Sequence, residues 1–221
     1  GGGTTDIAIF QDGIIRHTAV IPFGGNAITE DVKLGCSILS SQAEKLKVMY
    51  GSALARLNKD DEMVVIPGIR GREPKEISLK NLANIIEARM TEILKLVYYQ
   101  IKNSGYEKRL IAGVVLTGGG AMLKDLKELA QYTLGMDVQI GYPNEYIAPT
   151  NNYDCSNPSF ATGIGLVLKG FENENIQLTS PISSQTNISQ ETIREDIMAD
   201  KEKKGFRSWL DIFIKSFRDE I

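Results

Sequence analysis

The chain has 221 residues, of which 42% are hydrophobic and 24% charged, as in a globular protein with a substantial core. Its net charge of −3 argues against a dedicated nucleic-acid-binding protein, and no apolar run approaches the ~18 residues of a membrane span. Two widely spaced cysteines and a single histidine argue against a zinc site and a histidine-based catalytic triad.

The N-terminal part of the chain predicts a β-hairpin followed by two helices. Apolar and polar residues alternate on both sides of the turn sequence QDG, which is typical of a hairpin. A short helix is expected near 26–34. Ser41 and Glu44 have the spacing of a capping box at the start of a second helix, which Gly51 would end.

The middle of the chain predicts a strand, a basic loop and a long helix. The strand covers 62–66 and the loop is PGIRGREPKE. The helix is expected at about 79–102, with Gly105 as its stop signal. Its apolar residues form one stripe: Leu82, Ile85, Ile86, Met90, Ile93, Leu94, Val97 and Ile101.

The C-terminal part begins with a continuous apolar run, IAGVVL, of the kind found in buried parallel strands. The sequence TGGGA follows it directly, and a helix is then expected at about 121–134, a strand at 137–140 and another helix over SFATGIGLVLKG. From residue 171 the composition becomes polar and poor in aromatic residues, which predicts a disordered linker.

Two glycine clusters are the strongest candidates for a ligand-binding role. Glycine turns can curl around a phosphate and direct several N–H groups at it, and Gly118–Gly120 follow a strand at the place where α/β sheets bind ligands. Gly118–Gly120 have neither the lysine of a Walker loop nor the spacing of a G-x-G-x-x-G run, and the N-terminal GGG alone has little specificity. Taken alone, each cluster is explained equally well as a tight turn.

The order of several motifs is more specific than any one of them. GGGTTD, RHTAVIPFGGNAIT, GREPKEIS, GVVLTGGGAMLKDL and ATGIGLVL occur in turn, before an aromatic and basic C-terminal segment. Over all but the linker, the chain resembles the C-terminal half of the FtsA family, bacterial division proteins similar to actin and Hsp70.

The resemblance implies an α/β fold, the second lobe of an actin-like (ribonuclease H-like) protein with an inserted smaller α/β subdomain. Residues 1–34 and 105–170 would form subdomain IIA, and 35–104 the inserted subdomain IIB. A flexible linker at 171–202 and an amphipathic membrane-targeting helix at 203–221 would follow.

The resemblance also implies a site for ATP with Mg²⁺ in the intact protein. The phosphate loop would be Gly1, Gly2, Gly3 and Thr4. The adenosine loop would be Gly118, Gly119 and Gly120, with Met122 packed against adenine. Glu44 and Lys47, a pair on one helix, would reach the ribose and the adenine edge. Without the resemblance, Glu44 is explained as part of a helix cap and Lys47 as part of a solvated face.

No residue is predicted to be catalytic. In the actin-like superfamily the first phosphate loop and the residue that positions the attacking water belong to an N-terminal half, which this chain would lack. We therefore expect that the chain alone neither binds ATP tightly nor hydrolyses it, and that the intact protein is at most a weak ATPase.

The C-terminal segment has aromatic and apolar residues at helical spacing among basic ones, which favours a helix lying in the interface of an anionic bilayer. The predicted membrane-binding residues are Phe206, Trp209, Leu210, Phe213, Ile214 and Phe217, with Lys203, Lys204, Arg207 and Lys215. A helix docked on the body of the protein is the structural alternative.

The resemblance to the FtsA family implies an adaptor that tethers FtsZ filaments to the cytoplasmic face of the inner membrane at the division site, with ATP governing self-assembly into actin-like filaments. The FtsZ C-terminal tail would bind the inserted subdomain, and Arg70, Arg72 and Lys75 are candidate contacts. No nucleic-acid partner is expected. The alternatives are a small-molecule kinase of the same superfamily, with Asp6 as its carboxylate, an actin-like chaperone or pilus-assembly protein, and a soluble interaction domain.

Overall fold

The computed structural model describes residues 1–68, 71, 73–144 and 155–179, with side chains described to residue 172. The chain divides after Asn173, and the unit Gly1–Asn173 contains the site described below. The strands are β1 (Thr5–Gln11), β2 (Ile14–Ile21), β3 (Met63–Ile66), β4 (Lys75–Ser78), β5 (Val114–Leu116) and β6 (Val138–Ile140). The helices are α1 (Gly25–Cys36), α2 (Ser40–Tyr50), α3 (Leu79–Asn103), α4 (Leu126–Leu134) and α5 (Ala161–Thr179).

The predicted hairpin is confirmed. Strands β1 and β2 pair antiparallel around Asp12 and Gly13, whose φ angles of 55° and 73° suit the tight turn that joins twisted strands. Ile9 and Ile21 point into the core, while alternate residues face outward. The hairpin thereby places the first residues of the chain beside the start of α1.

The start of α1 is bonded to the N-terminal glycines. The N–H groups of Gly25 and Asn26 donate to the carbonyl oxygens of Gly1 and Gly2, at 3.0 and 2.8 Å. These bonds satisfy donors that a helix otherwise leaves free in its first turn. A Cβ atom on Gly24 would lie 2.2 Å from the Gly1 oxygen, so this close approach requires glycine.

Helix α2 begins at Ser40, and the predicted capping box of Ser41 and Glu44 is wrong. The Gln42 side chain instead accepts a hydrogen bond from the Leu39 N–H at 3.2 Å. The carboxylate of Glu44 is turned toward α1, where it has partners that a cap would not supply. The helix ends at Gly51 as predicted, with the Gly51 N–H bonded to the Lys47 oxygen at 3.1 Å.

Helix α3 is the centre of the hydrophobic core. Every residue of the predicted stripe is buried except Ile85, which is half-buried against the same core. Ser78 caps the helix at its start, and Gly105, at φ 74°, follows its end. Arg89 of α3 forms a two-pronged ion pair with Asp31 of α1 that fixes the two helices together.

Strand β4 was not predicted, because Lys75 and Glu76 were assigned to the basic loop and the next two residues to no element. It pairs antiparallel with β3, and Ile77 is its buried residue. A segment with one inward apolar residue has no alternation that could be detected in the sequence. Its strand conformation comes from pairing with β3.

The parallel pairing expected for β5 is confirmed, but the expected burial is wrong. Strand β5 pairs with β6, and Val114 and Leu116 pack against the core. Val115 points to the other face and is 65% exposed, and nearby Ile111 is 93% exposed. The apolar run IAGVVL therefore predicted a parallel strand correctly, but only one face of β5 is covered.

Two helices differ in extent from the prediction. Residues Gly119–Met122 form a 3₁₀ turn, and α4 begins only at Leu126, because Asp125 adopts a left-handed conformation with φ 61°. Helix α5 continues to Thr179, beyond the composition change at residue 171. The rest of the predicted linker and the predicted amphipathic helix lie outside the described residues.

Within the described part of the chain, no helix combines the length and the apolar character needed to cross a bilayer.

Leu82 tests the assignment of the core to α3. The side chain is fully buried, so we expect Leu82→Ala to lower the free energy of unfolding by about 2–5 kcal/mol through lost burial and the resulting cavity. Ile111→Ala, at an exposed position, should change it by less than about 0.5 kcal/mol. Urea unfolding monitored by circular dichroism measures both, and equal effects would contradict this assignment.

Candidate functional site

A cleft of about 640 Å³ lies where four separated segments of the chain meet, a volume typical of small-molecule sites. The segments are the N-terminal glycines with the start of α1, the exposed side of α2, the stretch from Asn58 to the start of α3, and the turn before α4. Seven of the predicted nucleotide-binding residues line it: Gly1, Gly2, Glu44, Lys47, Gly119, Gly120 and Met122. The structure thus brings together residues that are far apart in sequence.

The other predicted nucleotide-binding residues, Gly3, Thr4 and Gly118, are not part of the cleft wall. The Thr4 hydroxyl donates to Asp6 at 3.0 Å, and the Gly118 N–H donates to the Pro158 oxygen at 3.1 Å. Gly118 has φ 91°, a conformation that favours glycine, and it allows the strand to turn into Gly119–Met122. These residues shape the two turns instead of lining the cleft.

Lys47 is held by acceptors from two helices. Its ammonium donates to the Gly25 oxygen at 3.1 Å, the Thr29 hydroxyl at 2.8 Å and Glu44 Oε2 at 2.6 Å. The side chain is only 14% exposed. An ammonium has three protons, and all three are used, so Lys47 joins α1 to α2 and keeps no proton for a ligand in this arrangement.

Glu44 presents a carboxylate to the same cleft. Its Oε2 atom accepts from Lys47 and from Thr29, and the side chain remains 48% exposed. Burial acts to raise the pKa of Glu44, but the hydrogen bonds from Lys47 and Thr29 and the lysine charge outweigh it, so the pKa is lowered. Glu44 is therefore an ionised acceptor that can bind a hydroxyl or an N–H group of a ligand.

The glycine turn forms the opposite wall. The N–H groups of Gly119 and Gly120 have no partner among the described residues, whereas those of Ala121 and Leu123 bond within the turn. Met122 is exposed at the cleft. The arrangement offers two backbone donors, an apolar thioether and, across the cleft, a carboxylate.

Several lining residues were not predicted, among them Tyr50, Asn58, Glu62 and Lys124. Tyr50 lies three positions after Lys47 on α2, so the helical-face argument applied to Glu44 and Lys47 could have found it. Asn58 and Glu62 come from an irregular segment, where no local pattern indicates which way a side chain points.

The predicted partner-binding residues are only partly described. Lys75 belongs to β4, and its ammonium donates to the Cys36 oxygen at the C-terminal end of α1, a favourable place for a cation. Arg70, Arg72 and all the predicted membrane-binding residues lie outside the described residues. In the part of the chain that is described, no group of three or more histidine, cysteine, aspartate or glutamate residues could hold a metal ion.

The family of the chain follows from comparison with known proteins. The family model for cell division protein FtsA matches residues 1–165. The chain belongs to the FtsA family. It is 38% identical over 191 residues to cell division protein FtsA of Pseudomonas aeruginosa, an alignment that covers 86% of this chain and 45% of that protein. The chain thus spans less than half the length of this FtsA relative.

Solved structures confirm an α/β, actin-like fold. MreB5 of Spiroplasma citri bound to AMPPNP superposes with a TM-score of 0.59 at 20% identity, covering 81% of this chain and 53% of that one. The MamK double helical filament superposes with a TM-score of 0.52 at 15% identity, covering 76% and 52%. At these identities the likeness concerns the fold alone.

The lowered pKa of Glu44 predicts a pH-dependent contribution to stability. A group whose pKa is lowered by folding stabilises the protein above its ordinary titration range, near 4.5 for glutamate, and this contribution is lost as the pH falls through the lowered value. We expect the difference in unfolding free energy between the unsubstituted chain and Glu44→Gln to narrow between about pH 6 and about pH 3, as measured by urea unfolding.

Glu30→Gln is the matched control, because Glu30 also pairs with a lysine three residues away, at 2.7 Å. An identical pH dependence for the two variants would contradict the role assigned to the Glu44 network.

Proposed function

We propose that this chain forms part of an ATP site in a cell-division protein of the FtsA family. The observation that carries the proposal is the meeting of Gly1–Gly2, the Glu44–Lys47 pair and the Gly119–Met122 turn in one cleft. Convergence of backbone amides, a carboxylate and an apolar side chain suits a nucleotide, which is charged at one end and flat and apolar at the other.

Each lining group has a role in the proposed site. The amides of Gly119 and Gly120, which have no partner among the described residues, would donate to a phosphate or ribose oxygen. Met122 would pack against adenine, and Glu44 would accept from a ribose hydroxyl. Gly1 and Gly2 would lie at the terminal phosphates, and Gly3 and Thr4 would shape the same loop without lining the cleft. Lys47 would hold Glu44 and α1 in place without contacting the nucleotide, because its protons are already used.

Mg²⁺ would enter with the phosphates whose charge it neutralises. We assign no catalytic residue in this chain, and we expect no hydrolysis by the chain alone. A small-molecule kinase is less well supported, because its candidate carboxylate, Asp6, accepts from Thr4 and does not line the cleft.

Nucleotide titration of the ¹⁵N-labelled chain tests the ATP site. We expect shifts at Glu44, Gly119, Gly120 and Met122 with a Kd on the order of 1 mM, because this chain would supply only part of the contacts of a closed site. Lys47→Met should weaken binding roughly tenfold by releasing Glu44.

Lys45→Met, at an exposed lysine of the same helix, is the matched control and should leave ATP binding unchanged. Shifts confined to other surfaces, or none with ATP in the tens of millimolar, would overturn the proposed site.

Self-assembly is the second part of the proposal. The actin-like fold that the chain shares with the MamK filament supports assembly into filaments, with ATP governing it. Because the chain spans less than half of its FtsA relative, this is proposed for the longer protein to which such a chain would belong.

The third part is the tether between FtsZ and the membrane. We propose that the helix at 203–221 binds the cytoplasmic face of the inner membrane at the division site. The linker within 171–202 would join this helix to the body of the protein. The body would consist of subdomain IIA (1–34 and 105–170) and the inserted subdomain IIB (35–104). The aromatic and basic pattern of the terminal segment supports the membrane assignment. The basic loop before α3 supports binding of the FtsZ C-terminal tail, with Arg70 and Arg72 as its contacts.

Flotation on anionic vesicles tests the tether. We expect the chain to float and a version ending at Lys204 not to, since the latter lacks the aromatic stripe. High salt should weaken binding only in part, because screening removes the contribution of the basic residues but not that of the apolar face. If neither version floats, or both do, the terminal helix is not the anchor.

Added FtsZ provides a second readout in the same experiment. FtsZ should float only with the full chain, and Arg70→Glu with Arg72→Glu should abolish its flotation while the chain itself still floats. Lys108→Glu with Arg109→Glu, a matched charge reversal at another exposed site, should leave FtsZ bound. Loss of FtsZ with this control would show a general effect of charge and contradict the assigned contacts.

A further inference from the structure

The two walls of the cleft are joined beside it by a short seam, defined as Gly51–Ala53 after α2 and Lys124–Asp125 before α4. The Ala53 N–H donates to the Lys124 oxygen at 2.8 Å, and Ser52 and Lys124 form a parallel bridge. Gly51 and Lys124 themselves line the cleft. The seam is therefore the direct connection between α2, which carries Glu44, and the glycine turn.

Ser52 is the buried centre of the seam. Its side chain is fully buried, with 0% exposure, and its hydroxyl donates to Asp125 Oδ2 at 2.7 Å while accepting from the Leu54 N–H at 3.2 Å. The Leu54 oxygen also lies 3.2 Å from the Ser52 hydroxyl, but a hydroxyl has one proton, and the Asp125 oxygen is the closer acceptor. Without this hydroxyl, a buried N–H group and a carboxylate oxygen would each lose a partner.

Asp125 occupies a strained position at the other side of the seam. Its φ of 61° lies in the left-handed region, which is costly for residues other than glycine but less so for aspartate and asparagine. It stands at the N-cap of α4, yet its side chain makes no capping bond to that helix. The carboxylate bonds Ser52 instead, so the surrounding structure holds this conformation through the seam.

We propose that Ser52 and Asp125 are positioning residues of the nucleotide site, which set the placement of the glycine turn relative to Glu44. This inference rests on the proposed function. Ser52 follows α2 by two residues, and Asp125 follows Met122 by three, so a short rigid path joins the hydrogen bond to each wall. The two segments pack closely at Gly51, because a Cβ atom there would lie only 3.1 Å from Leu123 Cδ1.

The variants are chosen to separate the hydrogen bond from the backbone conformation. Ser52→Ala removes the donor, and Asp125→Gly removes the acceptor while still permitting the left-handed conformation. Asp125→Asn keeps both an acceptor oxygen and tolerance of that conformation. Two readouts are used on the ¹⁵N-labelled chain: ATP affinity by titration, and hydrogen exchange of the Ala121 and Leu123 amides without nucleotide.

We expect Ser52→Ala and Asp125→Gly to weaken ATP binding roughly tenfold and to accelerate exchange at Ala121 and Leu123. Asp125→Asn should retain the ATP affinity and the slow exchange of the unsubstituted chain. If Ser52→Ala folds poorly because Ser52 is buried, Asp125→Gly still tests the hydrogen bond, because Asp125 is only partly buried.

Ser104→Ala is the matched control. The Ser104 hydroxyl donates to the Ile101 oxygen at 2.6 Å and accepts from the N–H two residues later at 3.2 Å, as Ser52 accepts from Leu54, but it does not line the cleft. This variant should lose stability without changing ATP affinity or the exchange of the glycine turn.

Normal ATP affinity in both Ser52→Ala and Asp125→Gly would overturn the inference, as would an equal loss in Ser104→Ala. Failure of the unsubstituted chain to respond to ATP would instead overturn the proposed function. In that case the exchange rates still decide whether the seam positions the glycine turn, since unchanged rates in both variants would exclude it.

Discussion

The architecture of the candidate site depends on the nearly buried ammonium group of Lys47. The Lys47 ammonium needs acceptors for all three of its protons, and it finds them on Gly25, Thr29 and Glu44. Two of these belong to α1, whose first amides are in turn bonded to Gly1 and Gly2. The N-terminal glycines, α1 and α2 are thus held together as one wall of the cleft.

The opposite wall is joined to this one through the seam and through α3. Ala53 bonds to Lys124, and the neighbouring Ala55 N–H donates to Glu87 of α3 at 2.7 Å. Helix α3 also packs against α1, α2 and α4, so the central helix of the core supports both sides of the cleft. A site made from separated segments requires such connections, because a displacement of either wall would separate groups that must contact one ligand together.

The sequence predicted most elements correctly where the pattern was long or the turn chemistry strong. The stripe of α3, the QDG turn and the motif order of the FtsA family all fall in this class. It was wrong where a tertiary contact decided the outcome. The first turn of α2 is capped by Gln42 and not by Glu44, because the carboxylate of Glu44 is bonded to Lys47 of the same helix and to Thr29 of α1.

By itself, the sequence determined the family, the kinds of residue at the candidate site and the order of strands and helices apart from β4, because these depend on local periodicity and on motifs along the chain. Only the tertiary structure decided which candidates share a cleft, since Gly2, Glu44 and Gly120 meet through packing that no local pattern encodes. It also decided their roles. Lys47 has the charge of a ligand-binding residue, but after folding its ammonium is surrounded by acceptors and links α2 to α1 by hydrogen bonds.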